Sequence, residues 1–121
     1  MSRILVVDDD EYILDILKIL LENEGYEVTT AQDSQKGLDI VKTTEINLVI
    51  SDLRMRPMNG IELLREILKV KPKLPVIMLT AYGSPETANE ASQLGAFAYL
   101  TKPFGPDEVL ETLQRALQST T

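Results

Sequence analysis

Cysteine and histidine are both absent from this 121-residue chain. Without cysteine there is no disulfide and no thiolate metal site. Without histidine there is no imidazole ligand, and the commonest general base is missing. Any divalent cation must then be held by oxygen, which selects hard ions such as Mg²⁺. Long apolar runs are lacking too, and nothing approaches the ~20 residues that span a bilayer. Ile4–Val7 is too short for a signal-peptide core and is followed at once by acid. A cytoplasmic location without membrane association is therefore expected. Positive charge is also in deficit: 12 basic residues face 19 acidic ones, a net −7. Such a balance disfavours direct binding to DNA or RNA.

What is present is ordinary for a globular chain, with 44% hydrophobic and 26% charged residues. The length suits one domain with its own core, so residues 1–121 are read as a single domain. Short apolar runs alternate with amphipathic stretches throughout. Ile4–Val7 predicts a strand. Tyr12–Glu24 predicts a helix with Ile13, Ile16, Leu17, Leu20 and Leu21 on one face, ended by Gly25. Tyr26–Thr30 predicts a weaker strand, and Asp33 or Ser34 can cap a helix burying Leu38 and Val41. Ile46–Ser51 is a third strand, and Gly60–Val70 a helix with Ile61, Leu64, Ile67 and Leu68 inward. Val76–Leu79 follows as a fourth strand. Ser84, Pro85 and Glu86 form a helix start, with Gly95 closing that helix after Leu94. Phe97–Leu100 is the fifth strand, and Pro106–Gln118 the last helix, with Val109, Leu113 and Leu117 at four-residue spacing. Ser119 to Thr121 is expected to fray.

Five strands interleaved with five helices form a (βα)5 pattern, hence a parallel sheet with helices on both faces. The expected architecture is an α/β, flavodoxin-like doubly wound fold with strand order 2-1-3-4-5. Polar residues then gather just past the strand ends: Asp8, Asp9 and Asp10 after the first, Asp52 after the third, Thr80 at the fourth, Lys102 at the fifth. Ligands of open α/β sheets bind outside the carboxyl ends of the strands, where the connections reverse direction. Here that point lies between strands one and three, so Asp8, Asp9 and Asp52 should converge there, flanked by Thr80 and Lys102. Carboxylates this close repel one another unless a cation or a lysine offsets them. Mg²⁺ suits such a site, Asp52 can serve as a nucleophile, Lys102 can neutralise phosphoryl oxygens, and the Thr80 hydroxyl can bond one of them.

Four ordered segments carry a specific resemblance over essentially the whole chain: Ile4 to Asp10, Leu48 to Met55 with Gly60, Met78 to Gly83, and Tyr99 to Phe104. Together they resemble the receiver domain of bacterial two-component response regulators. That resemblance implies that Asp52 is the phosphorylation site and that Thr80 and Tyr99 form a switch pair. It implies Mg²⁺ ligated directly by Asp9, through water by Asp8, and by Asp52 and the backbone carbonyl of Arg54. Ala81 is small, as access to Asp52 requires, and a cis bond between Lys102 and Pro103 is expected. Arg54 and Tyr82 sit beside the site, where they could govern how fast water reaches an acyl phosphate. One position departs from the family's pattern: Arg56 follows Met55, where proline is common, and Pro57 comes next. The length to Gly60 is unchanged, so the metal-site loop is altered by substitution, with changed metal affinity or dephosphorylation rate expected.

Lacking histidine, the chain cannot carry a phosphohistidine, so the resemblance implies an external donor, a sensor histidine kinase or a phosphotransfer protein. It implies self-catalysed phosphorylation and slow dephosphorylation rather than conventional enzyme turnover. It also implies a readout face on the fourth helix, fifth strand and fifth helix, where a homodimer can form. Thr80–Gly83 and Gly95–Phe104 look most like receivers of nitrogen-regulator-class transcriptional activators, so a longer regulator is expected. Three rivals stand against this. A haloacid-dehalogenase-type phosphatase would need a second aspartate where Arg54 stands. A flavin binder would need a neutral phosphate loop in place of Asp8 to Asp10. A pseudo-receiver that only binds partners would not require the full acidic, threonine and lysine set.

Overall fold

In the computed structural model, which describes residues 2–81 and 83–119, five strands and five helices alternate along the chain. They are β1 (Arg3–Val7), α1 (Glu11–Asn23), β2 (Glu27–Ala31), α2 (Ser34–Thr43), β3 (Leu48–Ser51), α3 (Gly60–Val70), β4 (Val76–Thr80), α4 (Pro85–Leu94), β5 (Ala98–Thr101) and α5 (Pro106–Gln118). The strands form one parallel sheet in the order β2-β1-β3-β4-β5, as expected.

Alternation along the strands divides the core in two. Ile4 and Val6 of β1 point to the side covered by α1 and α5, where they meet Leu14, Leu17, Leu21, Val109 and Leu113. Leu5 and Val7 point to the other side and join Leu38, Val41, Leu63, Leu64 and Ile67 of α2 and α3, with Ala91 of α4. Both faces of the inner strands are therefore dry, which is why β1, β3 and β4 read as nearly continuous apolar runs. The inward faces of the helices are somewhat wider than expected: Leu14 and Leu63 are buried as well, while Ile13, Ile16, Leu20, Leu68 and Leu117 are only partly covered.

Helix starts follow the capping chemistry. Asp10 accepts from the Tyr12 amide ahead of α1 at 3.0 Å, and Asp33 from the Lys36 amide ahead of α2 at 2.7 Å. Asn59 and Glu62 form a reciprocal capping box at α3. Ser84 caps α4, which Gly95 closes in the left-handed conformation at φ 112°. The edge strands sit one residue later than expected. Register decides this: β1 runs abreast of β2 from Arg3↔Glu27 to Val7↔Ala31, and β5 reaches Thr101 opposite Thr80. β3 begins at Leu48, two residues after the expected start, with Ile46 packed in the core ahead of it. Ser119 caps α5, whereas Thr120 and Thr121 lie outside the described residues.

Gly60 secures the segment after β3. Its amide donates to the Leu53 carbonyl at 2.6 Å, and a side chain there would collide with the Asp52 carbonyl, Leu53 Cα and Met78 Cε. Two of these obstacles are backbone and cannot swing aside. Gly60→Ala is therefore expected to cost about 1–3 kcal/mol of stability, read as a lower urea midpoint at unchanged m-value.

Candidate functional site

The site arises because β1 and β3 are neighbours in matched register. Val7 pairs with Ser51, so the next residue of each strand, Asp8 and Asp52, emerges abreast at the carboxyl edge of the sheet. The Asp52 amide donates to the Val7 carbonyl at 3.0 Å, and the Asp8 amide to the Ala31 carbonyl at 3.1 Å. Both acids are 3% exposed. Asp9 follows on the solvent side, and the three acids each present a carboxylate oxygen within 4.8 Å of the others.

Charge decides what this edge tolerates. The Lys102 ammonium donates to Asp8 Oδ2 at 2.8 Å and stands 3.6 Å from Asp52 Oδ2. It arrives there because β5 ends at Thr101 and the Lys102 amide donates to the Thr80 carbonyl at 2.9 Å. Burial acts to lower the Lys102 pKa, but the bond to Asp8 and the charges of Asp8 and Asp52 outweigh it, so the group is held above its ordinary value. The Asp8 pKa rises as well, which for an acid disfavours the charged form. Burial pushes it up to about 6, against the lowering effect of Lys102 and the Asp10 amide, and Asp52 adds repulsion. Asp52 Oδ1 accepts from its neighbour Leu53 N at 2.7 Å.

Thr80 is fully buried at the end of β4. Tyr99 pairs with Met78 across β4 and β5 and is half-buried. Its hydroxyl lies 2.8 Å from Thr87 Oγ1 on α4, and a Cβ on Gly83 would stand 2.8 Å from that same hydroxyl. Ala81 is exposed, as is Arg54 in the segment after Asp52, while Tyr82 lies outside the described residues. The peptide bond between Lys102 and Pro103 is cis, as expected, and that between Arg56 and Pro57 is cis as well.

Asp8, Asp9, Asp52 and Lys102 are thus brought into one cluster, Thr80 ends the strand beside it, and Tyr99 lies within β5 with its hydroxyl on α4. The donor set fits a hard divalent cation: several carboxylate oxygens, one exposed acid, and no nitrogen or sulfur ligand. Two residues escaped the sequence reading. Thr87 holds the Tyr99 hydroxyl, and its only signal was its place three residues after the Ser84 cap. Ser34, weighed only as a cap, instead bonds a loop 24 residues away.

The comparisons with known proteins agree with this geometry. The family model of the response regulator receiver domain matches residues 4–114. The transcriptional regulatory proteins GlrR and ZraR of Escherichia coli K12 are each 44% identical over 117 residues, covering 97% of this chain and 26% of theirs. The chain therefore spans about a quarter of the length of these relatives. Among solved structures, a CheY-like receiver domain protein from Methanospirillum hungatei superposes with a TM-score of 0.96 at 39% identity, covering 99% of this chain and 96% of that one. The beryllofluoride-activated NtrC4 receiver domain dimer gives 0.95 at 33% identity, with full coverage of both. The chain belongs to the response-regulator receiver family of two-component signalling.

Asp8 yields a prediction with an unusual sign. The folded chain keeps this proton up to about pH 6, whereas the unfolded chain releases it near 3.8. Its contribution to stability is therefore full below pH 3.8 and is lost as pH rises through 6. Asp8→Asn should raise the melting temperature of the metal-free protein at pH 7, with little gain near pH 4. Thermal melts at the two pH values, in the presence of a chelator, check this.

Proposed function

We propose that this chain is a phosphorylation-activated switch that accepts a phosphoryl group on Asp52, with Mg²⁺, from the phosphohistidine of a sensor histidine kinase or phosphotransfer protein. The observation that carries the reading is the placement of Asp52: buried at the sheet edge, abreast of Asp8, with a lysine ammonium 3.6 Å from its outer oxygen.

Asp8, Asp9 and Asp52, with the Arg54 backbone carbonyl, would hold the cation. When bound, Mg²⁺ supplies positive charge that offsets the clustered acids and the incoming phosphoryl oxygens. An Asp52 carboxylate oxygen attacks phosphorus, the bond from phosphorus to the donor imidazole nitrogen breaks, and its electron pair stays on the imidazole. Lys102 moves its attention from Asp8 toward a phosphoryl oxygen, and the Thr80 hydroxyl donates to another. Positioning and charge neutralisation supply the catalysis, as phosphoryl transfer requires. Water later cleaves the acyl phosphate slowly.

The phosphorylated form then favours the arrangement with Thr80 drawn to the phosphoryl group and Tyr99 turned inward, a population shift rather than a new fold. The relatives named above are transcriptional regulators, which supports a transcriptional output exerted through further domains. A homodimer through α4, β5 and α5 belongs to the same proposal, in line with the dimeric state of the NtrC4 receiver. So do a cytoplasmic location and the lack of direct nucleic-acid binding by this acidic segment. Among the described residues, no helix is long and apolar enough to cross a membrane.

Incubation with acetyl phosphate and Mg²⁺, followed by intact mass measurement, tests the central step. Wild type should gain one phosphoryl group only when Mg²⁺ is present, and Asp52→Asn should gain none. Lys102→Ala should slow the modification by roughly 10²–10³-fold, the size of effect seen when one transition-state charge contact is removed. An unmodified wild type would point to a pseudo-receiver that only binds partners. Steady turnover of a phosphate ester would point to a phosphatase.

A further inference from the structure

The loop between β3 and α3 departs from the family's pattern at Arg56, and the structure shows what holds it. Asp33 provides the N-cap of α2, which leaves Ser34, the first residue of that helix, without a capping task. Ser34 is nonetheless fully buried. Its Oγ accepts from the Met58 amide at 2.8 Å, and its own amide donates to the Arg56 carbonyl at 3.0 Å. The second bond also satisfies one of the amides that every helix leaves unpaired in its first turn. At its base the loop is closed separately by the bond from Gly60 to Leu53. On its other side α2 follows β2, whose last residue, Ala31, accepts from the Asp8 amide.

Asp8 bonds Ala31 at the end of β2, and three residues further along the chain Ser34 bonds Arg56 and Met58. The start of α2 thus joins the segment that borders Asp8 to the loop that follows Asp52. Removing a group that orients a metal's ligands typically weakens metal affinity by roughly 10–100-fold. We propose that Ser34 is a positioning residue for the cation site: its two bonds fix the loop that carries the Arg54 carbonyl, replacing the stiffness that a proline at position 56 would supply. This rests on the reading of Asp8, Asp9, Asp52 and the Arg54 carbonyl as Mg²⁺ ligands.

Ser34→Ala removes the Oγ acceptor while keeping the backbone bond to Arg56. Mg²⁺ titration of the unphosphorylated protein, followed by amide NMR, should show binding weakened by roughly tenfold. Thr112 is the control, because its buried hydroxyl donates to the Glu108 carbonyl within α5, on the opposite face of the sheet. Thr112→Val should lower the melting temperature and leave Mg²⁺ affinity within twofold of wild type. If Ser34→Ala behaves as Thr112→Val does, the residue is merely structural and the proposal is overturned.

A measurement on wild type covers the case in which Ser34→Ala does not fold. Coupling between two sites is reciprocal, so saturating Mg²⁺ should slow hydrogen exchange of the Met58 amide by more than it slows that of Leu113 in α5. Equal slowing of both amides overturns the proposal. Wild type that binds no Mg²⁺ at all overturns the metal-site reading together with this inference, and that result is visible before any variant is compared.

Discussion

Two adjacent parallel strands in matched register must deliver their next residues side by side, and here both of those residues are aspartates. Everything at the carboxyl edge answers to that juxtaposition. Asp8 and Asp52 cannot both be ionised in a nearly dry cleft without compensation. Lys102 provides part of it, reaching Asp8 at 2.8 Å and Asp52 at 3.6 Å. One ammonium does not balance three acids, and Asp8, raised chiefly by burial and further by the charge of Asp52, holds its proton up to about pH 6. The site is held in a state that favours positive charge, which the proposed cation would supply.

The division of the core carries that frustration without unfolding. α1 and α5 cover one face of the sheet, α2, α3 and α4 the other, and each face has its own set of fully buried aliphatic side chains. Substitutions among the acids at the sheet edge can therefore trade stability against function, as buried like charges commonly do at working sites, while the sheet beneath keeps its register.

Much of this was legible from sequence, for identifiable reasons. Alternating apolar runs gave five strands, and Ser84 and Gly95 marked the start and the end of α4; α3 and α5 match their expected bounds. Asp8, Asp52, Thr80 and Lys102 stood out because a charge or hydroxyl breaks off each apolar run. Edge strands were harder. β2 and β5 are only half-buried, so the hydrophobic pattern marks their ends weakly, and pairing with the inner strands shifted both by one residue. The work done by Ser34 left no trace in spacing, because its partners lie 22 and 24 residues away across a loop. The cis bond at Arg56-Pro57 also had no expectation behind it, whereas the one at Lys102-Pro103 came from the family resemblance alone.

The contact between Tyr99 and Thr87 falls on a crowded oxygen. Thr87 Oγ1 stands 3.1 Å from the Ser84 amide, the Ser84 carbonyl and the Ser84 hydroxyl, and 2.8 Å from the Tyr99 hydroxyl. A threonine hydroxyl has one hydrogen and two lone pairs. Four partners therefore share three bonding positions, and one of them is always in surplus. If the phenol departs, the three contacts to Ser84 can fill those positions: one donated bond to the carbonyl, one accepted from the amide and one from the hydroxyl. The opening turn of α4 thus loses no essential partner when the ring leaves. A tyrosine held in this way is a latch resting on a catch that can close without it.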